Sequence, residues 1–273
     1  MKKRLLTYPW KVDHRVSVFV FIKLWLKAAW HALLAARLRP LPESSRFCFI
    51  AGCGNSGTTL LASKLGLHPD ALLISRESNL FFPSRSLRLA RIITSEWLAF
   101  ARQEARRVIL EKSPKHVHAL ARIHRLLPEA RRILVVRNPL DTCASLYKRF
   151  GDLDFAIERW LMDNRALLAA SQSPHTLLVR YETLTREPAA TLQSACTFLG
   201  LEWDPELLSR EGSAYGSHQG LRPNMAIRHA QVSQPIHDNN GKWVDVLDAA
   251  QAELVRQRTA ELARQLGYTF DSI

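Results

Sequence analysis

The residues with the clearest chemistry lie in one stretch, Gly52-Cys53-Gly54-Asn55-Ser56-Gly57-Thr58-Thr59, between an apolar run and a helical pattern. Strand, glycine-rich turn and helix in that order make an anion cradle. Backbone N–H groups from Gly54 to Thr59 and the positive end of the helix bind an anion without any side-chain charge. The two-glycine spacing is that of a nucleotide loop. An ATP or GTP loop, however, follows the second glycine with a lysine that grips the terminal phosphates, and Thr58 stands there instead. A second stretch, Arg131–Phe150 (RRILVVRNPLDTCASLYKRF), ends an apolar run in Arg137 and places Ser145 eight residues on, within reach of the same anion. A magnesium-dependent nucleotide enzyme would use an aspartate at such a strand end. An arginine there meets a phosphate rather than a metal.

These residues need a scaffold that brings strand ends together. Short apolar runs without period-two alternation occur at Phe47–Ala51, Ala71–Ile74, Val108–Leu110, Ile133–Val136 and Thr176–Val179, as expected of parallel strands covered on both faces. Helical patterns follow at Thr58–Leu67, Leu87–Ala105, Val117–Leu127, Thr142–Phe150, Phe155–Ser171, Pro188–Leu199 and Ala249–Leu266, the last closed by Gly267. This alternation predicts an α/β, P-loop-like three-layer fold, a central parallel sheet flanked by helices. Ligands then belong at the C-terminal ends of the strands. Ser209–Val244, rich in Gly, Ser, Pro, Asn and His, reads as loop.

The chain of 273 residues carries 38 basic against 25 acidic residues, a net +13. Residues 1–46 hold ten of the basic residues against Asp13 and Glu43. Such a chain suits an anionic ligand, a nucleic acid or an anionic membrane surface. No nucleic-acid motif is present, and the basic excess adjoins the apolar stretch Val16–Ala36 (VSVFVFIKLWLKAAWHALLAA), so a membrane ranks above nucleic acid. Lys23, Lys27 and His31 recur every four residues on one face of a helix, with Trp25, Trp30 and aliphatic residues on the others. That pattern favours an N-terminal amphipathic helix lying in the membrane interface, at the cytoplasmic face. A single transmembrane anchor and a helix docked on the domain are the alternatives. Residues 1–45 thus form an amphipathic segment and linker, and 46–273 the α/β domain. Cys48, Cys53, Cys143 and Cys196 show neither CxxC pairing nor zinc spacing and read as reduced thiols, and no Asn-x-Ser/Thr sequon occurs.

The loop and the Arg137 motif resemble the 5′-phosphosulfate loop and 3′-phosphate motif of sulfotransferases that use 3′-phosphoadenosine 5′-phosphosulfate (PAPS). Further segments match in the family's order: His68–Asp70, Arg76–Phe82, Glu111–Pro139, Val179–Pro205 and Gly241–Leu247. The likeness covers roughly residues 47–266 and is strongest to the branch holding tyrosylprotein and carbohydrate sulfotransferases. It implies that Gly54, Asn55, Ser56, Gly57, Thr58 and Thr59 wrap the 5′-phosphosulfate, and that Arg137 and Ser145 bind the 3′-phosphate. Tyr181 would sit near the adenine or its phosphate, and Lys242 and Trp243 would close over the nucleotide. The implied reaction moves a sulfuryl group from PAPS, as co-substrate and without a metal, to a hydroxyl or amine of a carbohydrate, lipid, peptide or small-molecule acceptor.

One departure matters. Family loops commonly carry Lys or Arg at the position of Asn55, and asparagine brings no charge. Lys112, ending the strand at Val108–Leu110, is the expected substitute beside the leaving phosphate. Lys64 is a weaker candidate, seven residues past Gly57. Glu77 is the expected general base, with His116 and His118 as other candidates on what reads as an exposed helix start. Two other classes remain open: a small-molecule P-loop kinase or NTPase, opposed by Thr58 and Arg137, and a non-catalytic nucleotide-binding protein, motivated by Asn55.

Overall fold

The computed structural model describes residues 46–74, 77–209, 236 and 238–270. The expected N-terminal helix, and most of the segment read as loop from Ser209, lie outside these. Five strands form one parallel sheet: β1 (Phe47–Gly52), β2 (Ala71–Leu73), β3 (Val108–Lys112), β4 (Arg131–Val136) and β5 (Thr176–Arg180), in the order β2-β3-β1-β4-β5. The predicted α/β architecture is therefore the observed one. β1 is buried along its whole length and feeds two cores by alternation. Phe47, Phe49 and Ala51 enter one, Cys48 and Ile50 the other. With both faces covered, neither phase of the strand can be polar, and this produces the unalternating runs.

The helices are α1 (Thr58–Leu65), α2 (Leu87–Gln103), α3 (Leu120–Leu126), α4 (Pro139–Phe150), α5 (Leu153–Ser171), α6 (Tyr181–Arg186), α7 (Pro188–Leu199), α8 (Glu206–Ser209) and α9 (Ala249–Gln265). Residues of α1, α6, α7 and α8 close the core of Cys48 and Ile50, while α2 to α5 and α9 close the core of Phe47 and Phe49. Local signals set the helix ends. Asn138 caps α4 by accepting the Asp141 N–H at 2.8 Å, with Pro139 at the first helical position. Gly151 turns off that helix at φ 66°, and Asp152 then caps α5. A reciprocal capping box of Asp248 and Gln251 starts α9.

Several boundaries differ from the sequence reading, and two matter for the site. β3 runs on to Lys112, whose Cα pairs in register with Ile50 of β1. α4 starts at Pro139, three residues before Thr142, because the Asn138 cap and the proline nucleate it. Ile74 lies beyond β2, and α6 was not expected at all. The helix expected over Val117–Leu127 is a 3₁₀ turn, Pro114–His118, followed by α3. His116, expected on an exposed helix start, is fully buried. Its Nδ1 lies 2.9 Å from Glu111 Oε2, and its ring packs edge-on against Phe49 and Phe81. The four cysteines are buried and unpaired; burial pushes the Cys48 thiol up to about 12 and Cys196 to about 11.

Candidate active site

The loop after β1 sits where the chain order across the sheet reverses, between β3 on one side and β4 on the other. The crevice at the C-terminal strand ends opens at such a point. β3 brings Lys112 and β4 brings Arg137 to its two flanks.

The loop has little room for side chains. Gly52, at φ 151°, lies so close to β4 that a Cβ there would collide with the Val135 carbonyl oxygen. Gly57, at φ 90°, lies under the Tyr181 ring: a Cβ would collide with Cδ2 and stand 2.9 Å from Cε2. Asn55 takes the left-handed conformation at φ 69°, which asparagine adopts more readily than most residues. The Ser56 hydroxyl donates to the Cys53 carbonyl at 2.6 Å, so it braces the loop internally. Thr58 is buried and Thr59 half-buried in the first turn of α1.

On the β3 side, Lys112 and Glu77 meet. Lys112 Nζ donates to Glu77 Oε1 at 2.6 Å; the lysine side chain is 2% exposed and the glutamate 24%. Behind them Glu111 gathers three donors on Oε1. It accepts from the Ser78 N–H at 2.9 Å, the Ser78 hydroxyl at 2.8 Å and the Ser113 hydroxyl at 2.6 Å. Burial alone would raise the Glu111 carboxyl, but the His116 charge and hydrogen bond, with the Ser113 and Ser78 donors, hold it below the ordinary value. The Phe81 N–H approaches His116 Nε2 at 3.4 Å, while Nδ1 faces Glu111. His116 is thereby committed to the core, and His118 Nε2 contacts Asp163 Oδ1 at 2.6 Å. Lys64 turns away from the loop; its ammonium reaches the Leu208 carbonyl at 3.3 Å.

On the β4 side, Arg137 stacks over the Tyr181 ring with its Cζ 4.2 Å from the centroid. Burial raises the Tyr181 phenol, and the Arg137 charge partly offsets this. Tyr181 thus touches both the loop and the arginine. Arg137 Nη2 donates to the Asn239 carbonyl at 2.6 Å and lies 3.5 Å from Asp141, while its Nε is buried with no hydrogen-bond partner among the described residues. A buried cation with an unspent donor suits an incoming phosphate. Ser145 is half-buried two turns along α4.

Three carboxylates absent from the sequence reading organise this side. Asp141 accepts the N–H groups of Gly241 at 3.0 Å and Trp243 at 3.1 Å, which ties the late segment to the start of α4. Trp243 is half-buried with the Arg256 guanidinium over its ring, and Lys242 is exposed. Glu182 accepts from the Asn138 N–H at 2.8 Å and from the Tyr268 hydroxyl at 2.9 Å. Asp163, on α5, stands beside Arg159 and His118. The available signal was an acidic residue inside an otherwise apolar stretch, as in LMDN and NPLD.

These contacts can be compared with known proteins. Residues 86–205 match the model of the Sulfotransferase family. The nodulation protein NoeE of Sinorhizobium fredii is 29% identical over 224 residues, 61% of this chain and 51% of that protein, so the chain spans about half that relative's length. Protein-tyrosine sulfotransferase A of Caenorhabditis elegans is 23% identical over 262 residues, 83% of this chain and 68% of that protein. The sulfotransferase domain from the Synechococcus PCC 7002 olefin synthase shares the fold, with a TM-score of 0.59 at 22% identity over 82% of this chain and 95% of that one. The segment 86–205 thus resembles the Sulfotransferase family, and the described residues share the fold of a sulfotransferase domain.

Proposed function

We propose that the chain transfers a sulfuryl group from PAPS to a hydroxyl or amine of an acceptor. The observation that carries the reading is the Lys112–Glu77 pair, 2.6 Å apart, with Lys112 ending the strand on one side of the anion loop and Arg137 following the strand on the other. The residues present fit the donor nucleotide. The loop offers backbone donors through glycines with no room for a Cβ, and Arg137 keeps a buried Nε without a partner among the described residues. When bound, PAPS supplies the activated sulfuryl group and a leaving phosphate.

Each residue then has a task. The N–H groups from Gly54 to Thr59, apart from that of Ser56, which meets the Cys53 carbonyl at 3.3 Å, hold the 5′ end, while Arg137 and Ser145 hold the 3′-phosphate. Tyr181 sets the distance between the two because its ring touches Gly57 and Arg137. Lys242 and Trp243 form the cover, anchored on Asp141. Glu77 accepts the acceptor's proton as its oxygen or nitrogen attacks sulfur, and Lys112 stabilises the charge developing on the departing phosphate. Because these two groups share a hydrogen bond, loss of the acceptor proton and growth of leaving-group charge are felt at one place.

The test is transfer of label from [³⁵S]PAPS to pools of lipid, glycan and peptide acceptors, with and without a metal chelator. Chelator-resistant labelling of one pool is expected. Tight binding of the product nucleotide, 3′-phosphoadenosine 5′-phosphate, with no transfer to any pool would favour a non-catalytic binding protein. Magnesium-dependent ATP turnover would favour a kinase.

A further inference from the structure

Lys112 answers the missing charge from one side of the loop only. We propose that a second cation, Arg159 of α5, completes the anion loop from behind, binding the 5′-phosphate end of the nucleotide at Gly54; this rests on the donor reading above. A Cβ built on Gly54 would collide with Arg159 Nη2 and stand 3.1 Å from its Cζ. The guanidinium therefore occupies the side-chain space of a loop residue. Its side chain is 9% exposed, so its charge is felt through protein rather than bulk water.

The geometry around Arg159 aims it. Its Nε lies 3.7 Å from Asp163 Oδ2, one turn on along α5, while its Nη2 end is the part at Gly54. The other oxygen of Asp163, Oδ1, is taken by His118 Nε2 at 2.6 Å. Asp163 is thus shared among several partners, and the long contact to Arg159 orients the guanidinium more than it neutralises it. Asp163 also bonds Cys53: burial, then the Asp163 charge, pushes that thiol well above its ordinary value against the Arg159 charge, so it stays neutral beside the loop. Gly54 is not one of the two spacing glycines, Gly52 and Gly57, and its own reason to be glycine is that any side chain would evict the guanidinium. An asparagine at position 55 is then tolerable because the positive charge arrives from another helix.

The experiment measures binding by calorimetry of two ligands that differ only in the 5′-phosphate, 3′-phosphoadenosine 5′-phosphate and adenosine 3′-monophosphate. Arg159→Gln is expected to weaken the first about tenfold to a hundredfold, as loss of a charge-assisted contact does, and to leave the second unchanged. Arg159→Lys should recover part of the loss. Gly54→Ala should reproduce the selective loss, and the double variant should be no weaker than either single one. Equal weakening of both ligands would assign Arg159 a purely structural role and overturn the inference, as would undiminished binding of the bisphosphate. If Arg159→Gln fails to fold, Gly54→Ala and Arg159→Lys decide the matter by the same comparison. If the wild-type chain binds neither nucleotide, the donor reading falls. Inorganic pyrophosphate then decides the inference, since Arg159→Gln must still weaken its binding.

Discussion

At the residue scale, a single hydrogen bond gathers the candidate chemistry. Lys112 and Glu77 are 35 positions apart and 2.6 Å apart in space. If the lysine acts on developing charge, Lys112→Ala lowers kcat about a hundredfold, the range seen for removing one such donor. The affinity for 3′-phosphoadenosine 5′-phosphate, measured by calorimetry, should change little. Glu77→Gln should also lower kcat and remove the acidic limb of the kcat/KM profile against pH. Arg137→Ala has the opposite signature: nucleotide affinity falls by about tenfold or more for a lost charge-assisted contact. Glu111 adds a stability prediction. Its folded pKa lies below the ordinary 4.5, so its contribution is present above that value and is lost as pH falls through the lowered folded one. Denaturant midpoints measured from pH 6 downward should fall steeply below about pH 4.5, and less steeply in Glu111→Gln, which starts lower at neutral pH.

At the scale of elements, the site is a junction of turns held by backbone approach. Gly52 and Gly57 both exclude a Cβ, but against different neighbours. At Gly57 the obstacle is the Tyr181 ring, which can swing; at Gly52 it is the backbone of the paired strand, which cannot. Gly57→Ala should therefore fold with a loss of roughly 1–3 kcal/mol from the positive φ and weakened nucleotide binding as the ring leaves Arg137. Gly52→Ala should be more destabilised by thermal melting, because β1 and β4 must separate. Asp141 ties the late segment to α4 through two backbone N–H groups. Asp141→Ala should raise KM for PAPS and change the fluorescence contributed by Trp243, leaving kcat at saturation nearer the wild-type value.

At the scale of the molecule, the net +13 is concentrated toward the N-terminus, outside the described residues. The expected interfacial helix over residues 16–36 leads to a direct test. The full chain should sediment with phosphatidylserine-containing vesicles at low salt, with each basic residue near the surface contributing about 1 kcal/mol. High salt or the pair Lys23→Glu and Lys27→Glu should release it. Unchanged sedimentation in the charge-reversed chain would remove the interfacial reading.

The sequence alone determined the strand runs, the loop, the Arg137 strand end and the family resemblance, because each is local. Buried parallel strands need apolar residues on both faces, and an anion loop needs glycines at set spacing. The tertiary structure decided which charges meet. His116 reads as exposed until β3 is seen to place Glu111 behind it, and Arg159 carries no sequence signal until α5 is seen to bring it to Gly54. α6 is six residues long, too short for periodicity to reveal, yet it starts with the tyrosine that joins loop and arginine. Several such contacts join segments far apart in the chain, Arg159 with Gly54 and Tyr181 with Gly57 among them. Side-chain types and spacing therefore carry the loop and strand-end residues of the site, while the fold sets its pairings and adds Asp141, Glu182 and Arg159 to it.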